Sequence, residues 1–208
     1  MEMLLDGGDV EFFLFHDIPL LVTGLAMARR MFQGQNAGAA DRFDILFNTL
    51  DSMKPMRILF VCLGNICRSP LAEGILQQQA AEAGLEIIVD SAGTGGWHVG
   101  DAPDPRSIAV AARHGIDISG QRCRRVTPED FGNFDLIFGM DRRNVDHLRA
   151  LAPDAAQMRI HLFLDYALGT ATDVPDPYYE SEDGFETVYR MLSAGCSSLI
   201  GRLDERFS

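Results

Sequence analysis

Cys62 and Arg68 bracket five residues in the run Cys62-Leu63-Gly64-Asn65-Ile66-Cys67-Arg68-Ser69, which Pro70 follows. A cysteine and an arginine at this spacing suit a phosphate monoester if the run turns from a strand into a helix. Successive backbone N–H groups in such a turn face one point, and the helix N-terminus adds its positive dipole end, so a dianion is held without lysine. Arg68 would grip two phosphate oxygens and offset the charge on the equatorial oxygens during transfer. The same groups favour thiolate over thiol at Cys62, to which Ser69 could donate a hydrogen bond. The thiolate attacks phosphorus in line and forms a phosphocysteine, dividing one hard hydrolysis into two easier steps. No metal and no cofactor enter this scheme. Gly64 and Asn65 tolerate the left-handed backbone that a tight cradle demands, and Ile66 and Cys67 complete the loop. On spacing alone, the competing reading is a buried cysteine after a strand, with Arg68 opening a surface helix.

The leaving group needs a proton and the attacking water later needs a base; one carboxyl serves both needs. Asp176, in Val174-Pro175-Asp176-Pro177-Tyr178-Tyr179, is the candidate, because two prolines stiffen the backbone around it. By itself this segment reads better as a rigid surface turn. Trp97 is the single tryptophan and lies in the glycine-rich stretch from Gly93 to Gly100. That is a poor place for a core tryptophan, so it reads as a rim residue, with plain packing as the alternative.

Elements that position these groups follow from the pattern. Ile58 to Val61 is a short continuous apolar run, expected for a parallel strand buried on both faces. A helix then runs with Ser69 as cap and Pro70 at its first position towards Gly84. Further strands are expected at Glu86 to Val89, Phe134 to Phe138 and Met158 to Phe163. Helices are expected from Asp104-Pro105 to His114-Gly115, over Arg142 to Leu151, and from Asp183 to about Phe207, with a short helical turn at Thr127-Pro128. Alternating strands and helices imply an open four-stranded parallel sheet with helices on both faces. The phosphate loop then leaves the first strand at the carboxyl edge, where such sheets bind ligands.

Composition sets limits. The 208 residues carry a formal charge of −12, which opposes nucleic-acid binding, so any anion site must be local. Residues 1–52 hold eight acids and three bases, a charge of −5 that leaves −7 for the rest, and they contain no chemical motif. They read as an N-terminal extension ahead of a domain at 53–208. Met53 and Met56, just before the first strand, raise the alternative that the functional chain begins there. The apolar stretch from Ile18 to Ala28 is too short to cross a bilayer. Four cysteines without disulfide-framework density and no evident signal peptide point to a reducing, cytoplasmic setting. His16, His98, His114, His147 and His161 show no metal-ligand spacing.

The loop CLGNICRSP, with DPYY about 110 residues later, resembles the low-molecular-weight protein tyrosine phosphatase family. Asp90-Ser91-Ala92-Gly93-Thr94, Asp104-Pro105-Arg106 and His114-Gly115-Ile116 fit the same family, so the resemblance spans about residues 56 to 207. It implies Cys62 as nucleophile, Arg68 as phosphate clamp, Ser69 as thiolate stabiliser, Asn65 as keeper of the loop shape and Asp176 as general acid. Leu63, Trp97, Tyr178 and Tyr179 would line the slot for a phosphotyrosine ring, and aromatic walls suit a flat phenyl phosphate independently. The implied partners are tyrosine-phosphorylated proteins, an autophosphorylated tyrosine kinase being one such substrate. Cys67 would trap an oxidised nucleophile as a reversible disulfide, a small packing residue being the alternative. Many relatives carry histidine where Gln121 stands, bracing the loop, so altered rigidity is expected here. Cys123 is also atypical, and Cys196 reads as core. The run from Arg122 to Arg125 is best read as a solvated turn.

Three rivals remain. A phosphoarginine phosphatase tends to carry threonine at the place of Ile66 and lacks the paired tyrosines. An arsenate reductase needs a downstream cysteine pair on a mobile segment. A phosphopeptide-binding module would have lost a member of the set Cys62, Arg68 and Asp176.

Overall fold

Residues 54–207 are described in the structure, a computed structural model, with side chains as far as Leu203. The acidic extension, and the expectation about where the functional chain begins, lie outside the described residues. The order is β1 (Met56–Cys62), α1 (Arg68–Ala83), β2 (Ile87–Gly93), α2 (Pro105–Arg113), α3 (Asp130–Asn133), β3 (Leu136–Gly139), α4 (Arg142–Leu151), a 3-10 turn (Asp154–Arg159), β4 (Ile160–Leu162), α5 (Phe163–Leu168) and α6 (Glu182–Phe207).

The strands form one sheet in the order β2-β1-β3-β4, and every pairing is parallel. β1 is an inner strand, which is why Ile58, Leu59, Phe60 and Val61 can all be fully buried. Their side chains alternate between two cores. Ile58 and Phe60 pack with Leu71 and Ile75 of α1, Phe163 of α5 and Leu192 of α6. Leu59 and Val61 pack with Phe131 of α3 and with Val145 and Leu148 of α4. Phe60 meets Phe163 edge-on at 5.1 Å. Truncating so central a ring would cost about 3–5 kcal/mol, a large share of a domain's stability.

Helix ends follow the capping chemistry at several points. Gly84 closes α1 with φ 70°, and the Asp104 side chain accepts from the Arg106 N–H to open α2, with Pro105 at the first position. Asp141 and Asn144 form a reciprocal capping box on α4. Three expectations change. Ser69 does not cap α1: the helix already begins at Arg68, with Cys67 before it. β2 runs on past Val89 to Gly93. The run from Met158 to Phe163 splits, with Met158 and Arg159 ending the 3-10 turn, β4 limited to Ile160–Leu162 and Phe163 opening α5.

The chain passes from β1 to β2 on one side and then to β3 on the other. A crevice therefore opens beyond the carboxyl end of β1, and Cys62 is the last residue of that strand.

Candidate active site

Peptide carbonyls determine what the loop after β1 can bind. The carbonyl oxygens of Cys62 and Leu63 accept from the N–H groups of Thr94 (2.9 Å) and Gly95 (2.8 Å), just beyond β2, and that of Ile66 accepts from Asp104 N–H (2.8 Å). Asn65 O accepts from Cys123 Sγ at 2.8 Å, and Cys67 O from Ser107 Oγ of α2 at 3.4 Å. Five carbonyls thus turn outward to neighbouring elements. Across a trans peptide the N–H opposes the C=O, so the N–H groups of residues 63, 64, 66, 67 and 68 turn inward. With α1 starting at Arg68, the loop becomes an anion cradle.

Asn65 holds the turn. It alone among the described non-glycine residues has positive φ, 57°. Its side-chain Nδ2 donates to Ser69 Oγ (3.0 Å) and Ser91 Oγ (2.8 Å), and its Oδ1 accepts from Arg124 N–H at 2.8 Å. Gly64 was expected to share the left-handed backbone and does not. Gly93 matters for a different reason, because a Cβ there would stand 3.0 Å from Leu63 O and 3.2 Å from Asn65 N. Only a glycine lets β2 lie this close behind the cradle.

Cys62 Sγ lies 3.0 Å from Ser69 Oγ and accepts from Asn65 N–H at 3.2 Å. Ser69 Oγ accepts from Asn65 Nδ2, and its one proton faces two acceptors, the sulfur at 3.0 Å and Ala92 O at 3.3 Å. The Arg68 guanidinium is held on both sides: Nη1 by Asp141 Oδ2 at 2.7 Å and Val174 O at 3.1 Å, Nη2 by Asp176 Oδ2 at 3.0 Å. Burial opposes its charge, but the Cys62 sulfur, Asp176 and Asp141 outweigh it and raise the Arg68 pKa. Burial, with Asp104 and Cys62 adding repulsion, pushes the Cys67 thiol up to about 12. That thiol is neutral at ordinary pH.

A cavity of about 220 Å³ opens over Cys62 and is lined by Leu63, Gly64, Ile66, Cys67, Arg68, Trp97, His98, Asp176, Tyr178 and Tyr179. Asn65 and Ser69 stand behind this lining, fully buried or nearly so. Trp97 is 76% exposed and Tyr179 95%, and Tyr178 and Tyr179 meet edge-on at 5.0 Å. Trp97 lies across Gly95, where a Cβ would sit 1.9 Å from its ring; this explains a tryptophan in a glycine-rich stretch.

Several contributors went unrecognised in the sequence. His98 lines the cavity and pairs with Asp101 at 3.2 Å. Asp141 follows β3 at the carboxyl edge, a position that could have suggested it. Ser91 donates to Glu73 Oε2 at 2.6 Å, and Arg124 is clamped by Asp90 and Asp130. Gln121 does not brace the loop, since its buried Oε1 has no hydrogen-bond partner; the Arg124 N–H bonds Asn65 directly. Among the described residues no cluster of His, Cys, Asp and Glu could hold a metal ion, and no helix is long and apolar enough to cross a membrane.

Known proteins resemble this chain in sequence and fold. The phosphatase of Schizosaccharomyces pombe called a low molecular weight phosphotyrosine protein phosphatase is 43% identical over 143 residues, 67% of this chain and 91% of that protein. A crystal structure of a protein tyrosine phosphatase from Entamoeba histolytica with Hepes in its active site superposes with TM-score 0.69 at 40% identity, covering 72% of this chain and 97% of that one. The YwlE arginine phosphatase, of Bacillus subtilis, shares the fold at 26% identity with TM-score 0.68, over 74% of this chain and 100% of that one. Residues 57–208 match the family model "Low molecular weight phosphotyrosine protein phosphatase", and the chain belongs to that family.

Proposed function

We propose that this chain hydrolyses phosphotyrosine in proteins through a phosphocysteine on Cys62. The observation that carries the reading is the shared cavity: a thiol on the floor, Asp176 beside it, and walls of Leu63, Trp97, Tyr178 and Tyr179. The phosphate sits in the cradle of N–H groups and Arg68. The Cys62 thiolate forms a bond to phosphorus, the bond to the phenolic oxygen breaks, and Asp176 gives that oxygen its proton. A water then loses its proton to Asp176 and attacks phosphorus. The thiolate leaves, and inorganic phosphate is released. Substrates in this reading are tyrosine-phosphorylated proteins, autophosphorylated tyrosine kinases among them, met in a reducing cytoplasm.

Phosphoarginine is the second reading, favoured by the likeness to the YwlE arginine phosphatase. Ile66 in the lining and the exposed tyrosine pair argue for the aromatic substrate. Arsenate reduction is disfavoured because Cys196 is fully buried between α6 and α1, with Sγ 3.9 Å from Ala72 O, and cannot relay a disulfide from Cys62.

The test uses metal-free protein with phosphotyrosyl and phosphoarginyl peptides at pH 5 to 7. Phosphotyrosine turnover with loss of about 10⁴-fold or more in Cys62→Ser is expected. Preferential phosphoarginine turnover would transfer the assignment to the second reading, and an inactive metal-free protein would sink both.

A further inference from the structure

Asp176 lies between two anchors. Upstream, Val174 N–H bonds Met140 O at 2.8 Å, and Val174 O accepts from Arg68. Downstream, the carbonyls of Tyr178 and Glu180 are both held by one side chain outside the cradle, Arg106 on the first turn of α2: Nη2 to Tyr178 O at 3.0 Å and Nη1 to Glu180 O at 3.3 Å.

Arg106 is itself fixed on three sides. Nε and Nη2 form a fork with Asp104 Oδ1 and Oδ2 at 3.0 and 2.8 Å, and Cζ lies 4.4 Å from the Phe185 ring centroid and 5.7 Å from that of Tyr178. Asp104 in turn gives its N–H to Ile66 O in the cradle. One rigid turn therefore touches the phosphate loop at Ile66 and the acid-bearing loop at Tyr178 and Glu180. A planar guanidinium with several donors can bridge a carboxylate and two carbonyls while stacking on a ring; an ammonium cannot.

We propose that Arg106 is a positioning residue for the general acid, fixing the distance from Asp176 to the leaving oxygen by tying the acid loop to the cradle through Asp104. The proposal rests on the reading of Asp176 as that acid. If Arg106 holds the acid, removing it penalises substrates in proportion to their need for a proton, because good leaving groups depart unassisted. A residue serving stability alone would lower all rates alike.

The experiment measures kcat/KM for aryl phosphates from dinitrophenyl to unsubstituted phenyl, in the wild type and in Asp176→Ala, Arg106→Met, Arg106→Lys and the double variant Arg106→Met with Asp176→Ala. Methionine keeps the apolar stack on Phe185 and removes every donor. Expected are a shallow dependence on leaving group in the wild type, a steep one in Asp176→Ala and an intermediate one in Arg106→Met. Arg106→Met should lose about 10-fold with phenyl phosphate and less than about 2-fold with the dinitrophenyl ester. The double variant should follow Asp176→Ala, because an absent acid needs no positioning. If Asp176→Ala keeps the wild-type slope, the acid assignment fails and the proposal with it. If Asp176→Ala is steep while Arg106→Met is parallel to the wild type, the proposal alone is overturned. Should Arg106→Met not fold, Arg106→Lys, which keeps the charge beside Asp104, carries the same comparison.

Discussion

The cradle and the acid loop deliver their groups to one cavity, yet they are held in opposite ways. In the cradle five peptide carbonyls are bonded by β2's continuation, α2 and the Cys123 segment, and the organising residue, Asn65, is 2% exposed. The acid loop is tied at Val174 and again at Tyr178 and Glu180, and the Asp176 side chain between them is 44% exposed. Phosphate binding is thus built into buried backbone, where each lost bond leaves a desolvated group. Placement of the acid depends on two side chains, the buried Arg68 of the cradle and the partly exposed Arg106.

The sharpest way to break that contrast is Asn65→Ala. Alanine disfavours φ 57° and leaves the Arg124 N–H without its acceptor, so both the shape of the loop and its support are lost. We expect about 10²-fold lower kcat/KM for every leaving group, with about 2–3 kcal/mol of stability lost, read by steady-state kinetics and urea unfolding. A loss confined to poor leaving groups would show that Asn65 serves the acid and not the cradle.

Asp141→Asn comes next. Asp141 Oδ1 caps α4 through the Asn144 N–H at 2.8 Å while Oδ2 holds Arg68. An asparagine has one acceptor oxygen for these two donors. The remaining amide group would face either a helix N–H or the guanidinium, and activity should fall about 10-fold with about 1 kcal/mol of destabilisation. Wild-type kinetics in this variant would mean that Val174 O and Asp176 orient Arg68 without help.

What could be read from sequence follows the same division. The cradle lies within eight consecutive residues, so its residue types and spacing expose its chemistry directly, and Asp176 stands out by its flanking prolines. The supports come from afar: Ser91 lies 26 residues from Asn65, Arg124 59 and Asp141 73 from Arg68. Parallel crossovers bring them to the edge, and no local pattern marks them. Phe163–Leu168 was hidden because its apolar start continues the strand before it, and periodicity cannot separate a short buried strand from the helix that follows. Ser69 looked like a helix cap because serine before proline usually is one; its hydroxyl instead lies 3.0 Å from the Cys62 sulfur and 3.3 Å from Ala92 O.

Glu73 offers the smallest effect and the finest test of how far the cradle's support extends. Its carboxylate accepts from Ser91, which accepts from Asn65, so it ends a hydrogen-bond chain that starts at the loop. Burial, with Asp90 adding repulsion, lifts its pKa from the ordinary 4.5 to about 7, against the lowering by Ser91, Gln77 and Arg124. The folded state therefore keeps a proton that the unfolded state has released between about pH 4.5 and 7. Stability falls as pH rises through that window, is unaffected below it, and levels off above it. Glu73→Gln removes this dependence while keeping an oxygen for Ser91. Denaturant unfolding at pH 5 and pH 8 should show the variant gaining about 2 kcal/mol on the wild type over that span. Constant spacing between the two would place the ionised carboxylate in water and detach Glu73 from the chain. If the gap widens and kcat/KM of the wild type alone changes with the same midpoint, the ionisation is felt at Asn65. A widening gap with parallel pH–rate profiles would limit Glu73 to stability, with Ser69 and the Arg124 N–H sufficient to hold the loop.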